Sequence, residues 1–368
     1  SSDVCSSDLK LLTPGPLTTT ETVKEVMLFD HCTWDDDYKE ITQKIRRDLL
    51  KLAQVEETEY TTVLMQGSGS FGVESVLGSV VPKDGCVLLL SNGAYGERAA
   101  KMCSYYEIPC IHVKQDYNKT PDANEAEELL KTHPEITHIM MIHSETTSGI
   151  LNDIESIGKL AEAYGKVFIV DAMSSFAGVE IPVKDWYIDF LISSANKCIQ
   201  GVPGFSFIIA NRVLLMESKG RARSLCLDLY DQWAGMEKDG KWRYTSPTHV
   251  VLAFEQAMKE LEQEGGIKAR HARYQKNMDT LVENFENLGF RLYVDKAWQG
   301  PIIATFLYPE GKHFDFQEMY AYIKERGYAI YPGKLTDADT FRIGVIGEIY
   351  EEDVLRLTEI MKSYMEQA

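Results

Sequence analysis

The fold of this chain is constrained most by a regular alternation between short apolar runs and longer segments of helical periodicity. The helical segments, at 71–80, 97–106, 123–132 and 154–164, lie between most of the apolar runs. Runs that are apolar throughout are typical of strands in a sheet covered on both faces. The alternation therefore predicts an α/β fold with a mostly parallel sheet. The predicted strands are 62–65, 86–90, 138–143, 166–171, 190–193 and 205–210.

A change of pattern near residue 265 predicts a second, smaller domain. A helix over 250–264 ends at Gly265 and Gly266, and glycine commonly ends a helix. We expect a large domain over 11–265, with segment 11–20 packing on the small domain, and a small α+β domain over 266–368. Residues 1–10 are expected to be a disordered or extraneous leader, because they lack the apolar centre of a signal peptide. The small domain is predicted to contain helices at 269–288, 316–326 and 351–366 and strands at 291–294, 302–306, 329–331 and 340–343.

Charge and cysteine content narrow the possible partners. The formal net charge is −18, which argues against nucleic-acid binding, because the phosphate backbone requires a basic face. An anionic substrate would therefore need positive groups in the site itself. No apolar run is long enough to span a bilayer, so no membrane partner is expected. Seven cysteines, an odd number without a CxxC pair, are typical of reduced thiols in a cytoplasmic protein.

Three strand ends carry residues that could bind a ligand, since ligands of open α/β sheets lie at the carboxyl ends of the strands. After the first strand, 66–72 (QGSGSFG) places small residues before a helix, where backbone N–H groups can bind a phosphate or form only a tight turn. Asp171 follows another strand and could face a ligand or cap a helix. Lys197 follows a third strand; it could be a desolvated nucleophile or a surface lysine.

Each of the three features has a structural and a ligand-binding interpretation, and their occurrence together favours ligand binding. Pyridoxal phosphate (PLP) needs a helix N-terminus for its phosphate, a carboxylate for its pyridine nitrogen and a lysine for a Schiff base. The loop at 66–72, Asp171 and Lys197 supply these in order. No metal is expected, because His133, His138 and His143 are spaced by five residues, which suits neither a helical pair nor a metal loop.

The chain resembles the class V aminotransferases, which are PLP enzymes of fold type I. The resemblance begins near residue 11 and implies a mostly parallel, seven-stranded sheet in the large domain. The stretches CTWDDDY, SSANKCIQGVPG and LDLYDQW resemble the branch of the family that transfers the amino group of 2-aminoethylphosphonate to pyruvate, giving phosphonoacetaldehyde and L-alanine. The stretches that carry the resemblance lie at 12–18, 32–38, 66–70, 170–175, 192–204, 227–233 and 341–344.

The resemblance implies a role for each site residue. Lys197 is expected to form the Schiff base and to move the proton during catalysis, and Asp171 to pair with the pyridinium nitrogen. Arg342 is expected to bind the anionic end of the substrate. The remaining site residues are expected to contact the cofactor. The expected contacts are Ser68, Gly69 and Ser70 at its phosphate, Tyr95 against its ring, Thr146 near its phenolic oxygen, Asn196 near its phosphate or ring, and Thr245 reaching the phosphate from the other subunit.

The role of Thr245 implies a homodimer with shared active sites.

The role of Arg342 also follows from the chemistry of its side chain. A guanidinium binds either a carboxylate or a phosphonate through two parallel hydrogen bonds, so one arginine could serve both substrates. Without the resemblance, a strand arginine paired with Glu348 or another acid would be the simpler reading.

Alternative functions remain open on the sequence. The nearest is an alanine or serine–glyoxylate (or pyruvate) aminotransferase of the same family. A cysteine desulfurase is less favoured, because no cysteine is obviously placed on a mobile loop over the cofactor. A dehydrogenase would require a GxGxxG loop and a ribose-binding acid, which are missing. A non-enzymatic PLP-binding or interaction protein would be expected to have lost Lys197 or Arg342.

Overall fold

The structure, a computed structural model, describes residues 9–309, 314–333, 335 and 338–367. Most of the predicted leader, 1–10, lies outside the described residues. The strands β1–β10 are, in chain order, Lys10–Leu11, Tyr60–Gln66, Val87–Ser91, Cys110–Lys114, His138–Ile142, Ser144–Glu145, Ile150–Leu151, Val167–Asp171, Phe190–Ser194 and Phe205–Asn211. The helices α1–α9 are Glu21–Glu25, Asp36–Leu52, Gly69–Val80, Ala94–Tyr105, Ala123–Thr132, Ile154–Ala163, Arg212–Glu217, Leu229–Asp239 and Thr248–Glu264.

The C-terminal elements follow after Gly265, which adopts the left-handed conformation that ends a helix. Short 3₁₀ turns occupy Val26–Leu28 and Lys296–Trp298. The C-terminal elements are α10 (Gly266–Asn287), β11 (Arg291–Leu292), β12 (Ile303–Leu307), α11 (Phe316–Lys324), β13 (Tyr328–Ala329), β14 (Tyr331–Pro332), β15 (Thr340–Gly344) and α12 (Glu351–Met365).

The central sheet has seven strands in the order β2-β10-β9-β8-β5-β3-β4. Strand β10 runs antiparallel to both of its neighbours, and the other neighbouring pairs are parallel. The prediction of an α/β fold with a mostly parallel sheet is confirmed. Both faces of the sheet are covered: Leu88 and Leu90 pack in one apolar cluster, whereas Val87 and Leu89 pack in another. This explains why the strand is apolar at every position.

A second sheet, β11-β12-β15-β14, is antiparallel and lies in the C-terminal part of the chain. Its core is rich in aromatic residues; the rings of Phe285 and Phe306, for example, stack with centroids 5.0 Å apart. The N-terminal strand β1 pairs in parallel with β13, and Leu12 is buried in this same core. The first residues described by the structure are thus held against C-terminal elements.

The central sheet brings several strand ends to one edge. The carboxyl ends of β5, β8 and β9 meet there, and the loop after β2 leads into α3. Within the described residues, no helix is both long and apolar enough to cross a bilayer.

Candidate active site

A cavity of about 230 Å³ lies at the carboxyl edge of the central sheet. It brings together side chains from the ends of three strands and from the first turns of α3 and α4. The predicted site residues that line it are Ser68, Gly69, Ser70, Tyr95, Thr146, Asp171, Asn196 and Lys197.

Lys197 follows β9, and its amine is fixed by the N-terminal segment. Nζ donates to the carbonyl oxygens of Pro14, at 2.7 Å, and Gly15, at 3.3 Å. Burial lowers the pKa of Lys197, although Tyr95 and nearby acids act in the opposite direction. A lowered pKa raises the fraction of neutral amine, which is the form that acts as a nucleophile or accepts a proton.

Gly15 is required for this contact. It has φ +106°, and a Cβ there would lie 2.7 Å from the Asn196 carbonyl oxygen and 2.8 Å from Lys197 Cδ. Those distances are too short for any side chain, so only glycine lets the segment approach the lysine this closely.

Asp171 is the last residue of β8 and is buried. The backbone N–H of Met173 donates to its Oδ1 at 2.9 Å. Burial raises the pKa of Asp171 to about 6, while the hydrogen bond from Met173 lowers it. A carboxylate in this position therefore favours a cationic partner, such as a protonated pyridine nitrogen, that offsets the cost of its ionisation.

The N-terminus of α3 has the features of a phosphate site. Ser68 is the N-cap residue, but its side chain makes no capping hydrogen bond, and the first turn contains no acidic residue. A side chain at Gly69 would collide with the sulfur of Met173. The first N–H groups of a helix and its dipole favour an anion, so this turn, which faces the cavity, fits the phosphate of PLP.

The other predicted site residues line the cavity between the α3 terminus and the side chains of Lys197 and Asp171. Thr146 is buried after β6, and Tyr95 is half-buried at the start of α4. Asn196 is half-buried, and its Oδ1 accepts a hydrogen bond of 3.2 Å from Ser194 Oγ. With Lys197, Asp171 and the α3 terminus on its walls, the cavity fits PLP.

Arg342 lies on β15, at the edge of the cavity rather than in its lining. Its Nη1 donates to the carbonyl oxygen of Thr146 at 2.9 Å, and its Nε donates to that of Pro332 at 3.0 Å. The guanidinium is buried and lies 5.8 Å from the ring centroid of Tyr331. Its position against Thr146 allows a fixed positive charge to face the cavity.

Thr245 does not line the cavity of its own chain. It is exposed, and its carbonyl oxygen accepts a hydrogen bond of 3.1 Å from Gln66 Nε2, just before the α3 terminus.

Three contributors were missed by the sequence reasoning. Pro14 and Gly15 belong to a stretch that was noted for its resemblance, but nothing in the sequence showed that it reaches Lys197. Arg98 also lines the cavity, and its spacing of three residues from Tyr95 was an available signal, because such residues share a helix face.

Among the described residues, no histidine lines this cavity. Burial lowers the pKa of His138 to about 4 and that of His143 to about 3, so both side chains are neutral at pH 7. In the part of the chain that the structure describes, no group of three or more His, Cys, Asp or Glu side chains is placed to hold a metal ion.

The fold and the cavity together define the class of protein as a PLP-dependent enzyme of fold type I. Residues 31–356 match the aminotransferase class-V family. The chain belongs to the class V aminotransferase family, whose members depend on PLP.

Two curated relatives cover nearly the whole chain. It is 55% identical over 359 residues to the 2-aminoethylphosphonate–pyruvate transaminase of Lysinibacillus sphaericus (strain C3-41), covering 98% of each chain. It is 53% identical over 363 residues to the bifunctional phosphonoacetaldehyde hydrolase/aminoethylphosphonate transaminase of Clostridioides difficile (strain 630), covering 98% of this chain and 57% of that protein.

Solved structures show the same fold at lower identity. The ureidoglycine-glyoxylate aminotransferase of Bacillus subtilis superposes with a TM-score of 0.89 at 21% identity. The match covers 99% of this chain and 95% of that one. It supports the fold and does not bear on the substrate.

Proposed function

We propose that this protein transfers the amino group of 2-aminoethylphosphonate to pyruvate, giving phosphonoacetaldehyde and L-alanine. The observation that carries the proposal is a single cavity that holds Lys197 and Asp171 and has Arg342 anchored at its edge. The names of the two curated relatives support the choice of substrates. The second relative also carries a hydrolase for phosphonoacetaldehyde, the aldehyde expected here as a product.

PLP, when bound, supplies an aldehyde that takes up the amino group and a ring that accepts negative charge from the adjacent carbon. The site residues provide the rest. The N–H groups and hydroxyls at Ser68–Ser70 would hold the phosphate, and Asp171 would keep the ring nitrogen protonated. Tyr95 would lie against the ring, Asn196 near the phosphate or the ring, and Thr146 near the phenolic oxygen.

Lys197 is the proton carrier in this proposal. Burial lowers the pKa of Lys197, which favours the neutral amine, and in that form its Nζ would accept the proton from the substrate carbon that bears the amino group. In the second half of the reaction, once the amino nitrogen has replaced the carbonyl oxygen of pyruvate, which leaves as water, Lys197 would return a proton to the same carbon, which becomes the α-carbon of L-alanine. The carbonyl oxygens of Pro14 and Gly15 hold Nζ in place between these transfers.

Arg342 is proposed to bind the anionic end of both substrates in turn. Among the described residues, its Nη2 has no hydrogen-bond partner, whereas Nε and Nη1 are each held by a backbone carbonyl. The arrangement fixes the plane of the guanidinium and leaves donors for a phosphonate or a carboxylate. Since the chain carries a net charge of −18, this local charge is what an anionic substrate needs.

We also propose that the protein is a homodimer in which Thr245 reaches the cofactor phosphate of the partner subunit. Thr245 is exposed on its own chain, as a residue that acts on a neighbour must be. Leu28, Phe29 and Trp34 are exposed apolar residues of segment 28–34, and we call them the 28–34 patch. Lys241 Nζ lies 4.4 Å from the ring centroid of Trp34, which places this 28–34 patch beside the segment that carries Thr245. Exposed apolar patches commonly mark interfaces.

The assignment is tested by comparing amino donors at saturating pyruvate. We expect kcat/KM for 2-aminoethylphosphonate to exceed the value for ethylamine, which lacks the phosphonate and would leave the buried Arg342 unpaired, by at least about 100-fold. L-serine should also be a poorer amino donor than 2-aminoethylphosphonate. Phosphonoacetaldehyde and L-alanine should form in equal amounts. A preference for L-alanine or L-serine, with glyoxylate as acceptor, would instead assign the glyoxylate aminotransferase reaction. The cytoplasmic location and the domain boundary at residue 265 stay predictions.

A further inference from the structure

Arg98 is a second arginine at the cavity, on α4, one turn after Tyr95. Its Nη1 donates to Ser70 Oγ at 2.9 Å. Its guanidinium carbon lies 5.1 Å from the ring centroid of Tyr95. One side chain therefore contacts both a residue proposed for the cofactor phosphate and the residue proposed to flank the cofactor ring.

The bond to Ser70 fixes the direction of the serine hydroxyl. Arginine has only donors, so Ser70 Oγ must be the acceptor in this bond. The hydroxyl has one hydrogen of its own, and that hydrogen is left to point towards another acceptor. At the N-terminus of α3, a phosphate oxygen is such an acceptor. Arg98 thus prepares Ser70 as a donor.

Arg98 also has no direct ion-pair partner. Across the described residues, no carboxylate lies within ion-pair distance of its guanidinium, although its charge acts on the buried Asp171, and the side chain is exposed. In a chain with 56 acidic and 38 basic residues, an arginine without an acidic partner at an anion site is informative. Its charge adds to the helix dipole at the same place.

A second basic residue of α4, Lys101, shows what a purely structural role would look like on the same helix. Lys101 Nζ lies 5.8 Å from the ring centroid of Tyr105, so it stacks on a tyrosine much as Arg98 does. Lys101 does not line the cavity. Stacking on a ring is therefore shared by both residues, whereas the bond to Ser70 belongs to Arg98.

We propose that Arg98 is a positioning residue for the cofactor's phosphate group, acting through Ser70 and through its own charge. This inference rests on the proposed cofactor site. It concerns the phosphate alone, so it separates the binding of PLP from the binding of pyridoxal, which has the same ring and aldehyde but no phosphate.

The test measures dissociation constants of PLP and of pyridoxal, by absorbance titration of the full-length protein freed of cofactor. Arg98→Met should weaken PLP by about 10- to 100-fold, the loss typical of one charge-assisted hydrogen bond, and leave pyridoxal within about twofold. Arg98→Lys, which keeps the charge, should be intermediate. Lys101→Met, the matched control, should bind both ligands as the wild type does.

Coupling with Ser70 gives the second readout. If Arg98 acts through the hydroxyl, Arg98→Met should weaken PLP less in a Ser70→Ala background than in the wild type. Equal weakening of PLP and pyridoxal, or unchanged PLP binding in Arg98→Met, would overturn the inference. If the wild type fails to bind PLP, the proposed function is overturned. If the wild type binds PLP and Arg98→Met binds it equally well, only the inference about Arg98 is overturned.

Discussion

At the scale of single residues, burial favours the uncharged forms of both Lys197 and Asp171. This suits the role proposed for Lys197, because burial lowers its pKa and the proposed proton carrier is the neutral amine. It opposes Asp171, which must be ionised to pair with a cation, although burial raises its pKa to about 6. Without cofactor, the ionised carboxylate is therefore a cost to the fold, and the cofactor removes that cost.

Asp171→Asn should accordingly stabilise the cofactor-free protein. Between about pH 4 and 6 the folded protein still holds the Asp171 proton that the unfolded chain has released, so the ionisation penalty lowers stability as pH rises through this window. Above it the penalty is complete. Because a pKa change of one corresponds to about 1.4 kcal/mol, we expect Asn to raise the free energy of unfolding by up to about 3 kcal/mol at pH 8.

Urea unfolding at pH 8 and at the lowest pH where the protein stays folded measures this difference, which should shrink towards the acid end. With saturating PLP the order should reverse, because only the carboxylate pairs with the ring nitrogen. A cofactor-free Asn variant that is less stable than the wild type at pH 8 would contradict the role given to burial.

Arg342→Lys should weaken both substrates. Lysine keeps the charge but loses the fixed pair of donors, and hydrogen bonds to charged groups contribute about 1.5–3 kcal/mol. We expect KM to rise by about 10- to 100-fold for 2-aminoethylphosphonate and for pyruvate alike. PLP affinity is the control and should change much less than KM, since Arg342 does not line the cofactor cavity and contacts it only through the carbonyl oxygen of Thr146. A rise for one substrate only would mean that another group binds the other anion.

At the scale of elements, the sequence patterns located six of the seven strands of the central sheet. The strand that they missed, β4, lies at the sheet edge, and each of its residues is half-buried or exposed, so it lacks a continuous apolar run. The antiparallel direction of β10 was also beyond reach, because an apolar run has the same composition in either direction. Strand ends were enough to find Lys197, Asp171 and the α3 terminus.

Contacts between distant segments could not be predicted in the same way. The approach of Gly15 to Lys197 joins residues 182 positions apart, and no periodicity encodes it. Arg98 was missed for a different reason: an exposed arginine on an amphipathic helix is usually only part of its solvated face.

Gly15→Ala tests the N-terminal segment as an element of the site. The substitution should impose a positive φ on alanine and push the segment away from Lys197. Gly220→Ala is the matched control, because Gly220 also has a positive φ, of +74°, but a Cβ there meets nothing within 4 Å. We expect the control to lose about 1–2 kcal/mol of stability and keep its turnover.

Gly15→Ala should lose more stability than the control and should also lose turnover, measured as L-alanine formed at saturating substrates. Equal turnover in the two variants would show that the contact with Lys197 has no part in the reaction.

At the scale of the whole molecule, three basic side chains lie around one cavity of an otherwise acidic protein. Lys197, Arg98 and Arg342 lie at it or at its edge, while the chain as a whole carries a net charge of −18. On the proposed function, an anionic substrate is selected by this local charge rather than by the field of the whole protein.

The proposed dimer predicts that Leu28→Asp, in the 28–34 patch, weakens self-association. A buried unpaired carboxylate is costly, so the variant should shift towards the mass of one 41.7 kDa chain in analytical ultracentrifugation and bind PLP more weakly. Leu355→Asp, at an exposed leucine on α12, serves as the control and should keep the mass of two chains. A wild type that is a monomer with full activity would contradict shared active sites.

The central claim is tested most directly by one half-reaction, followed through the visible absorbance of the purified, PLP-loaded protein. On adding 2-aminoethylphosphonate without pyruvate, we predict that the band of the lysine-bound cofactor is replaced by that of pyridoxamine phosphate, and that pyruvate restores the first band. Lys197→Ala should show neither change. A wild-type band that ignores the aminophosphonate but responds to L-alanine and glyoxylate would contradict the proposed substrate, and the absence of any such band would contradict the role of Lys197.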